Sequence, residues 1–313
     1  MTTTWLILAR AVHIGACLLF FGVFAFDRFV ATAIPANGKT EIGNYWQTRI
    51  RFFNVILLPA IFLSGLAWFA LVAVSMSGQP LQAEILKIVW MQTQFGTVWK
   101  TRLIFWLAAA VVAIFFYFSN SQTACQRFLI WLQLFFSGAL LCSLAWAGHG
   151  QETSVWHLCA DVLHLLVAGF WPTGLLPFAL LLRKLRQASR PTNMLSIVAL
   201  VRRFSALSLG SVALLAATGF ANSWFLVGSF SNLLGQPYGR WLLAKIILFC
   251  FAVAIGAMNL LRLKPRLEIK NAQTNNPEPT AAQLQFNVKT ELFLAIAVVI
   301  VVAILGILPP AIH

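Results

Sequence analysis

Eight runs of roughly twenty apolar residues, near 5–26, 53–76, 103–118, 128–148, 156–182, 204–227, 239–261 and 289–308, constrain this chain more than any motif. A hydrocarbon core about 30 Å thick is crossed by about 20 helical residues. Inside it every backbone N–H and C=O must find its partner within the protein, which leaves helices or closed barrels. Runs of this length read as helices, so the sequence predicts an all-α integral membrane protein with about eight transmembrane helices in a single membrane domain over 1–313. Hydrophobic residues fill 60% of the positions and charged ones 10%, a balance foreign to soluble domains.

The formal charge of +14 reports orientation. Connections after the first, third, fifth and seventh helices hold sixteen of the 22 Lys and Arg, whereas the opposite connections hold Lys87, Lys100, Arg102 and Arg240. The rule that cytoplasmic loops are positive then places both termini on the outer, periplasmic side. A basic chain of this kind is no nucleic-acid binder, because its charge is distributed by membrane side. The first helix reads as retained: no basic segment precedes it, its apolar run is long for a signal peptide, and Arg10 and His13 interrupt it. Five scattered cysteines, none in a Cys-x-x-Cys pair, read as small buried residues.

The chain echoes itself. QFGTVWKTRLIFW at 94–106 answers PYGRWLLAKIILF at 237–249, with a basic residue seven places after the aromatic in each, Arg102 and Lys245. RFFNVILLPAIFLSGLAW at 51–68 likewise answers RRFSALSLGSVALLAATGFANSW at 202–224. In this register the halves 1–150 and 151–313 form a parallel repeat of four helices each, an arrangement that commonly holds its site between the halves. The first helices of the halves pair, and each has a histidine, His13 and His164, about 12 Å below its outer end at 1.5 Å per residue. Residues 262–288 form a polar cytoplasmic connector, and 40–51 and 80–92 read as short interfacial helices.

Ionisable groups inside membrane helices are expensive, so each is a candidate functional group whose partner has to be found. In AGHGQETSVWHLCADVLHLL at 147–166, His157, Asp161 and His164 are spaced i, i+4, i+7 and share one helical face. Such a file either binds a metal or forms a hydrogen-bonded strut. His149 and Glu152 belong to the same outer mouth, and Cys17 follows His13 by one turn. Histidine-rich, thiol-poor surroundings suit Cu(II), Zn or Ni, with affinity order favouring Cu(II). The five methionines form no thioether cluster, and no P-loop or Gly-x-Gly-x-x-Gly is present, so ATP-driven pumping has no support and transport or metal binding is expected over enzymatic activity.

Secondary features are read structurally. Trp171-Pro172-Thr173-Gly174 kinks its helix, Arg10 snorkels outward or meets an anionic group, and Glu291 pairs with Lys289 or Arg262. Asn222 and Asn259 link helices by hydrogen bonds.

In the order of its segments, the chain resembles the copper-resistance protein D family of bacterial inner-membrane proteins. The resemblance rests on RAVHIGACLLFFG, TQFGTVWKTRL, the GHG…HLCADVLHLL…GLLP block, RRFSALSLG, YGRWLLAKIIL and the terminal EL…LG-LPP, and covers almost the whole length. It implies copper taken up at the periplasmic face by His13, His149, His157 and His164, and moved to or across the inner membrane. Some relatives have histidine where this chain has Asp161, which leaves the role of that carboxylate open. The resemblance also implies a separate periplasmic copper-binding partner of the CopC type.

Three functions compete at this point. One is a copper permease whose His13 and His164 hold the ion within the membrane. Another is a redox protein in which the same two histidines ligate haem b. The third is a non-transporting docking partner for a copper chaperone.

Overall fold

The computed structural model describes residues 2–34, 39–119, 123–147, 154–187, 191–267 and 278–311. These form helices α1 (Thr2–Phe29), α2 (Lys39–Ser77), α3 (Ala83–Gln92), α4 (Gln94–Phe118), α5 (Ala124–Cys142), α6 (Val155–Gln187), α7 (Pro191–Val227), α8 (Phe230–Gly235), α9 (Pro237–Met258) and α10 (Glu278–Leu305), with no strand among the described residues. Eight of the ten are long and apolar enough to cross a membrane, matching the eight apolar runs. Most of them begin before their runs, as α2 does at Lys39 and α4 at Gln94. The chain enters several of them through hydroxyl caps: Thr93 accepts from the Gly96 amide, Thr123 from that of Gln126, and Ser229 from that of Asn232.

Helices α1 and α6 form the centre. Helix α1 packs on α2, α5, α6 and α10, and α6 packs on α7, α1, α10 and α5. Phe20, Val23, Phe24 and Phe26 of α1 and Leu181 and Leu182 of α6 are wholly buried. Large apolar side chains such as Phe118, Phe220 and Phe293 face outward, as they would toward lipid. Helix α4 also packs on α5, and α9 on α10.

Where α1 crosses α6, glycine is required by space. A Cβ on Gly22 would sit 2.0 Å from Thr173 Oγ1 and 2.6 Å from the Gly169 carbonyl. Thr173 itself donates to Gly169 O on its own helix and lies 3.3 Å from Leu18 O across the crossing. Gly22→Val is therefore expected to force the central helices apart and to destabilise the fold by about 2–3 kcal/mol. Thermal unfolding of the purified variant in detergent checks this; an unchanged midpoint would mean that the crossing is looser than drawn.

Four sequence expectations change. Residues 40–51 are no separate interfacial helix but the first turns of α2, which continue because Trp46 buries against Phe26 and donates to Asp27 Oδ1 at 2.9 Å. The 80–92 segment does form a short helix, and an unforeseen counterpart, α8, precedes α9. Arg10 lies over Trp68 at 4.7 Å and against Gly306, a ring contact where the sequence offered an anionic group. Of the cysteines, all free, only Cys17 is buried, while Cys125, Cys159 and Cys250 lie on the outer surface.

Glu291 is the fourth case. Its partner is an amide, Asn259 Nδ2 at 2.6 Å, with Asn287 donating in turn to Asn259 at 2.7 Å. Lys289 is two residues away, on the opposite side of α10, and Arg262 is exposed. Asn259 thus joins α9 to α10, and Asn222 joins α7 to α6, as the sequence suggested.

Candidate functional site

The two membrane histidines have the same kind of surroundings, built by corresponding residues. His13 on α1 shares its Nδ1 proton between the Ile61 carbonyl at 3.0 Å and Ser64 Oγ at 3.1 Å on α2. His164 on α6 donates from Nδ1 to Thr218 Oγ1 on α7 at 2.9 Å, a hydroxyl that in turn donates to Leu214 O at 2.7 Å. These partners assign the Nδ1–H tautomer to both rings and leave each Nε2 lone pair free to face a cation. For His13 that cation is Arg102, whose Nη2 lies 2.6 Å from Nε2; for His164 it is Lys245, at 3.5 Å.

A glycine stands beside each ring. Gly65 follows Ser64 and is required by space, since a Cβ there would lie 2.9 Å from Trp99 and 3.1 Å from His13 Cε1; Gly219 follows Thr218, where a Cβ would only touch His164 Cε1 at 3.5 Å. At the entrances of α4 and α9, Gly96 and Gly239 admit the preceding short helices: a Cβ would lie 2.3 Å from Val89 O and 2.4 Å from Asn232 O. Both basic residues reach the histidines from helices anchored by these glycine contacts.

The two sites differ in how tightly the cation is held. Arg102 is fully buried and spends four of its five N–H groups: on Leu140 O at 3.1 Å, Ser143 Oγ at 2.6 Å, His13 Nε2, and Cys17 Sγ at 3.7 Å. Trp68 and Trp99 enclose the His13 ring, each with its centroid 5.4 Å away. Cys17 Sγ also stands 3.7 Å from His13 Nε2. Among the described residues, the one polar contact of Lys245 is with His164, and its charge is close enough to act on the Asp161 carboxylate. Where the first half has Arg10 against Trp68, the second has Asp161 accepting from Asn222 Nδ2 at 3.2 Å.

The file on α6 is thus fixed by α7. His157 stacks on Phe225 at 5.0 Å and is buried, Asp161 is held by Asn222, and His164 by Thr218. His149 and Glu152 fall outside the described residues. Among the described residues, no three of His, Cys, Asp and Glu gather closely enough to hold a metal ion. His13 and His164 have separate partner sets, one on α1, α2 and α4 and the other on α7 and α9.

Sequence reasoning missed the cationic partners in one specific way. Arg102 was counted with an outer connection, yet it lies inside α4 with its side chain buried, because two carbonyl and hydroxyl acceptors on α5 and an imidazole on α1 replace water around it. The signal was present in the echo, which aligned Arg102 with Lys245. Ser64 and Thr218 carried no signal of their own.

Comparison with known proteins adds to this geometry. The family model described as copper resistance protein D-like, N-terminal domain, matches residues 1–158, and that of copper resistance protein D matches 198–305. Copper resistance protein D of Pseudomonas syringae pv. tomato is 30% identical over 269 residues, 81% of this chain and 83% of the relative. The copper transport protein CutJ of Bacillus subtilis (strain 168) is 28% identical over 96% of this chain and 52% of its own length. The inner membrane protein YebZ of Escherichia coli (strain K12) is 25% identical over 98% of both. Because one family model spans just over half of the residues and the Pseudomonas relative aligns across four fifths of them, this multi-pass chain belongs to the copper resistance protein D family.

Proposed function

We propose that the chain takes copper at the periplasmic face of a bacterial inner membrane and passes it inward along the α6 file, His157 to Asp161 to His164. On this reading the bundle end where α6 begins faces the periplasm, and both termini lie on that side. His149 and Glu152 form the mouth, and a CopC-type periplasmic protein delivers the ion. The observation that carries the reading is the α6–α7 seam: three groups on one helical face, two of them oriented by hydrogen bonds from α7, in a bundle whose relatives are named for copper resistance and transport.

Imidazole and carboxylate are suitable ligands for Cu(II). Seats built from one or two such groups bind weakly enough to release the ion again, which suits transit more than storage. The Nδ1–H of His164 is spent on Thr218, so its Nε2 is the ligating atom, and copper there takes the place of Lys245 as the facing cation. His13 has no such opening, because Arg102 holds its Nε2.

Copper bound per folded protein, measured by elemental analysis after dialysis, distinguishes the roles. His164→Ala and Asp161→Ala are each expected to weaken retention at least about tenfold, the scale on which losing a supporting or ligating group acts. His13→Ala is expected to keep its copper while losing thermal stability. Equal copper loss in the His13 and His164 variants would overturn this assignment in favour of one site shared by the halves.

A further inference from the structure

Glu291 is a buried carboxylate that neither the α6 file nor the Arg102 strut uses. It is 3% exposed on α10, inside a membrane-crossing stretch. A carboxylate in such a place has its charge met by a cation, a metal ion or a proton. No cation meets this one: among the described residues Glu291 forms no ion pair, and its one hydrogen-bond partner is Asn259, which donates to Oε1. The titratable groups on the surrounding helices are engaged elsewhere or face away. Lys289, Arg202 and Arg262 are exposed, and Lys264 lies a turn beyond Asn259. Arg186 of α6 donates to Gln285, Arg203 of α7 donates to Phe29 O, and Asp27 of α1 pairs with Arg28. A metal seat is missing too, because among the described residues no three of His, Cys, Asp and Glu gather.

What does meet Glu291 is a cavity of about 120 Å³ between α6, α7, α9 and α10, with room for a few waters. Ser205, Ser208 and Asn259 line it with Glu291, among apolar side chains. The carboxylate oxygen Oε2 has no hydrogen bond and is not sealed from this space, since Gly256 opposite would bring even a Cβ no closer than 3.5 Å. The backbone is irregular at the same point. Helix α9 continues as a π-helix over Asn259–Leu263, a rare turn found mostly at functional positions, and it begins at the residue that orients the carboxylate. Trp171, on the cavity wall, follows His164 by two turns on the same face of α6.

We infer that Glu291 is a proton-exchange site served by water in this cavity. Oε2 takes a proton from a hydronium ion, leaving water behind, and returns it to water when the carboxylate forms again. A proton needs one ligand group where a metal ion needs several, and this seat offers one. The amide chain holds the group in both states, Asn287 donating to Asn259 and Asn259 to Oε1. The site is defined without copper; under the transport reading its proton is the ion available for exchange against the cation moving along α6.

Infrared spectra of the purified full chain in detergent, recorded as pH is raised through the neutral range, test this. Subtracting the spectrum of Glu291→Gln cancels the other carboxyl groups, Asp27 and Asp161 among them. The difference should contain the C=O band of a protonated carboxylic acid, which shifts in heavy water and is lost as pH rises. Glu291→Asp should displace that band without abolishing it, and serves as the comparison where the glutamine variant does not fold. Circular dichroism and gel filtration confirm that each variant is intact. Absence of the band at every pH would mean a permanently ionised carboxylate, and a band of constant height would mean a proton locked in a structural bond; either result would overturn the proposal.

Discussion

Replacing Arg102 by methionine is expected to destabilise the fold by about 3–5 kcal/mol, the range seen when one partner of a buried charged network is removed. The reason is geometric. One guanidinium on α4 ties α1, through His13 and Cys17, to α5, through Leu140 O and Ser143 Oγ. Methionine fills most of the volume but leaves His13 Nε2 with only the weak Cys17 thiol as donor in a site walled by Trp68 and Trp99. Lysine at the same position keeps the charge but has a single point of attachment, so it should recover only part of the loss. Thermal midpoints of the three proteins in one detergent give the test, and a methionine variant as stable as wild type would mean that His13 needs no partner. Lys245→Met, by contrast, removes one contact at 3.5 Å and should move the midpoint much less.

The difference between those two sites shows what a sequence can and cannot display. The spans were legible because lipid imposes one solution on a long apolar run: backbone bonding within a helix. His13, Asp161 and His164 were legible because an ionisable group in such a run stands out. The acceptors that orient them were not. Ser64, Thr218 and the Leu140 carbonyl are ordinary groups in a helical membrane protein, and their role depends on the rotation of helices whose residues lie 38 to 54 positions apart in sequence. The charge of Arg102 misled for a related reason: a tally of basic residues by loop assumes that a basic residue near a helix end seeks water, and this one finds acceptors inside the bundle. Glu291 misled in the same direction, since two side-chain amides, Asn259 and Asn287, took the place of the expected cation. The small helix α8 had no signal either; six residues containing Ser231 and Asn232 look like a loop until Gly239 allows them to pack.

Removing the charge of Lys245 is expected to tighten copper binding at the α6 file by about tenfold or more. In the folded chain the Lys245 ammonium faces His164 Nε2 at 3.5 Å and acts on Asp161 through space, so it occupies the electrostatic position that an entering cation needs. Two unit charges 4 Å apart interact by about 4 kcal/mol at the effective dielectric of a protein site, and about 1.4 kcal/mol of that is enough for a tenfold change in affinity. Lys245→Met leaves a carboxylate and an imidazole lone pair without a nearby competing cation; Lys245→Arg keeps the competition. Titration of each purified protein with copper against a chelator of known affinity reads the order directly, with methionine tightest and arginine near wild type. Weaker binding in the methionine variant would make Lys245 a ligand or a structural support. An unchanged affinity would place copper away from His164, and with it the path proposed along α6. The prediction also explains why the two halves need different cations: Arg102, fastened at four points, makes His13 a strut, whereas Lys245, fastened at one, can withdraw from His164 without taking the fold with it.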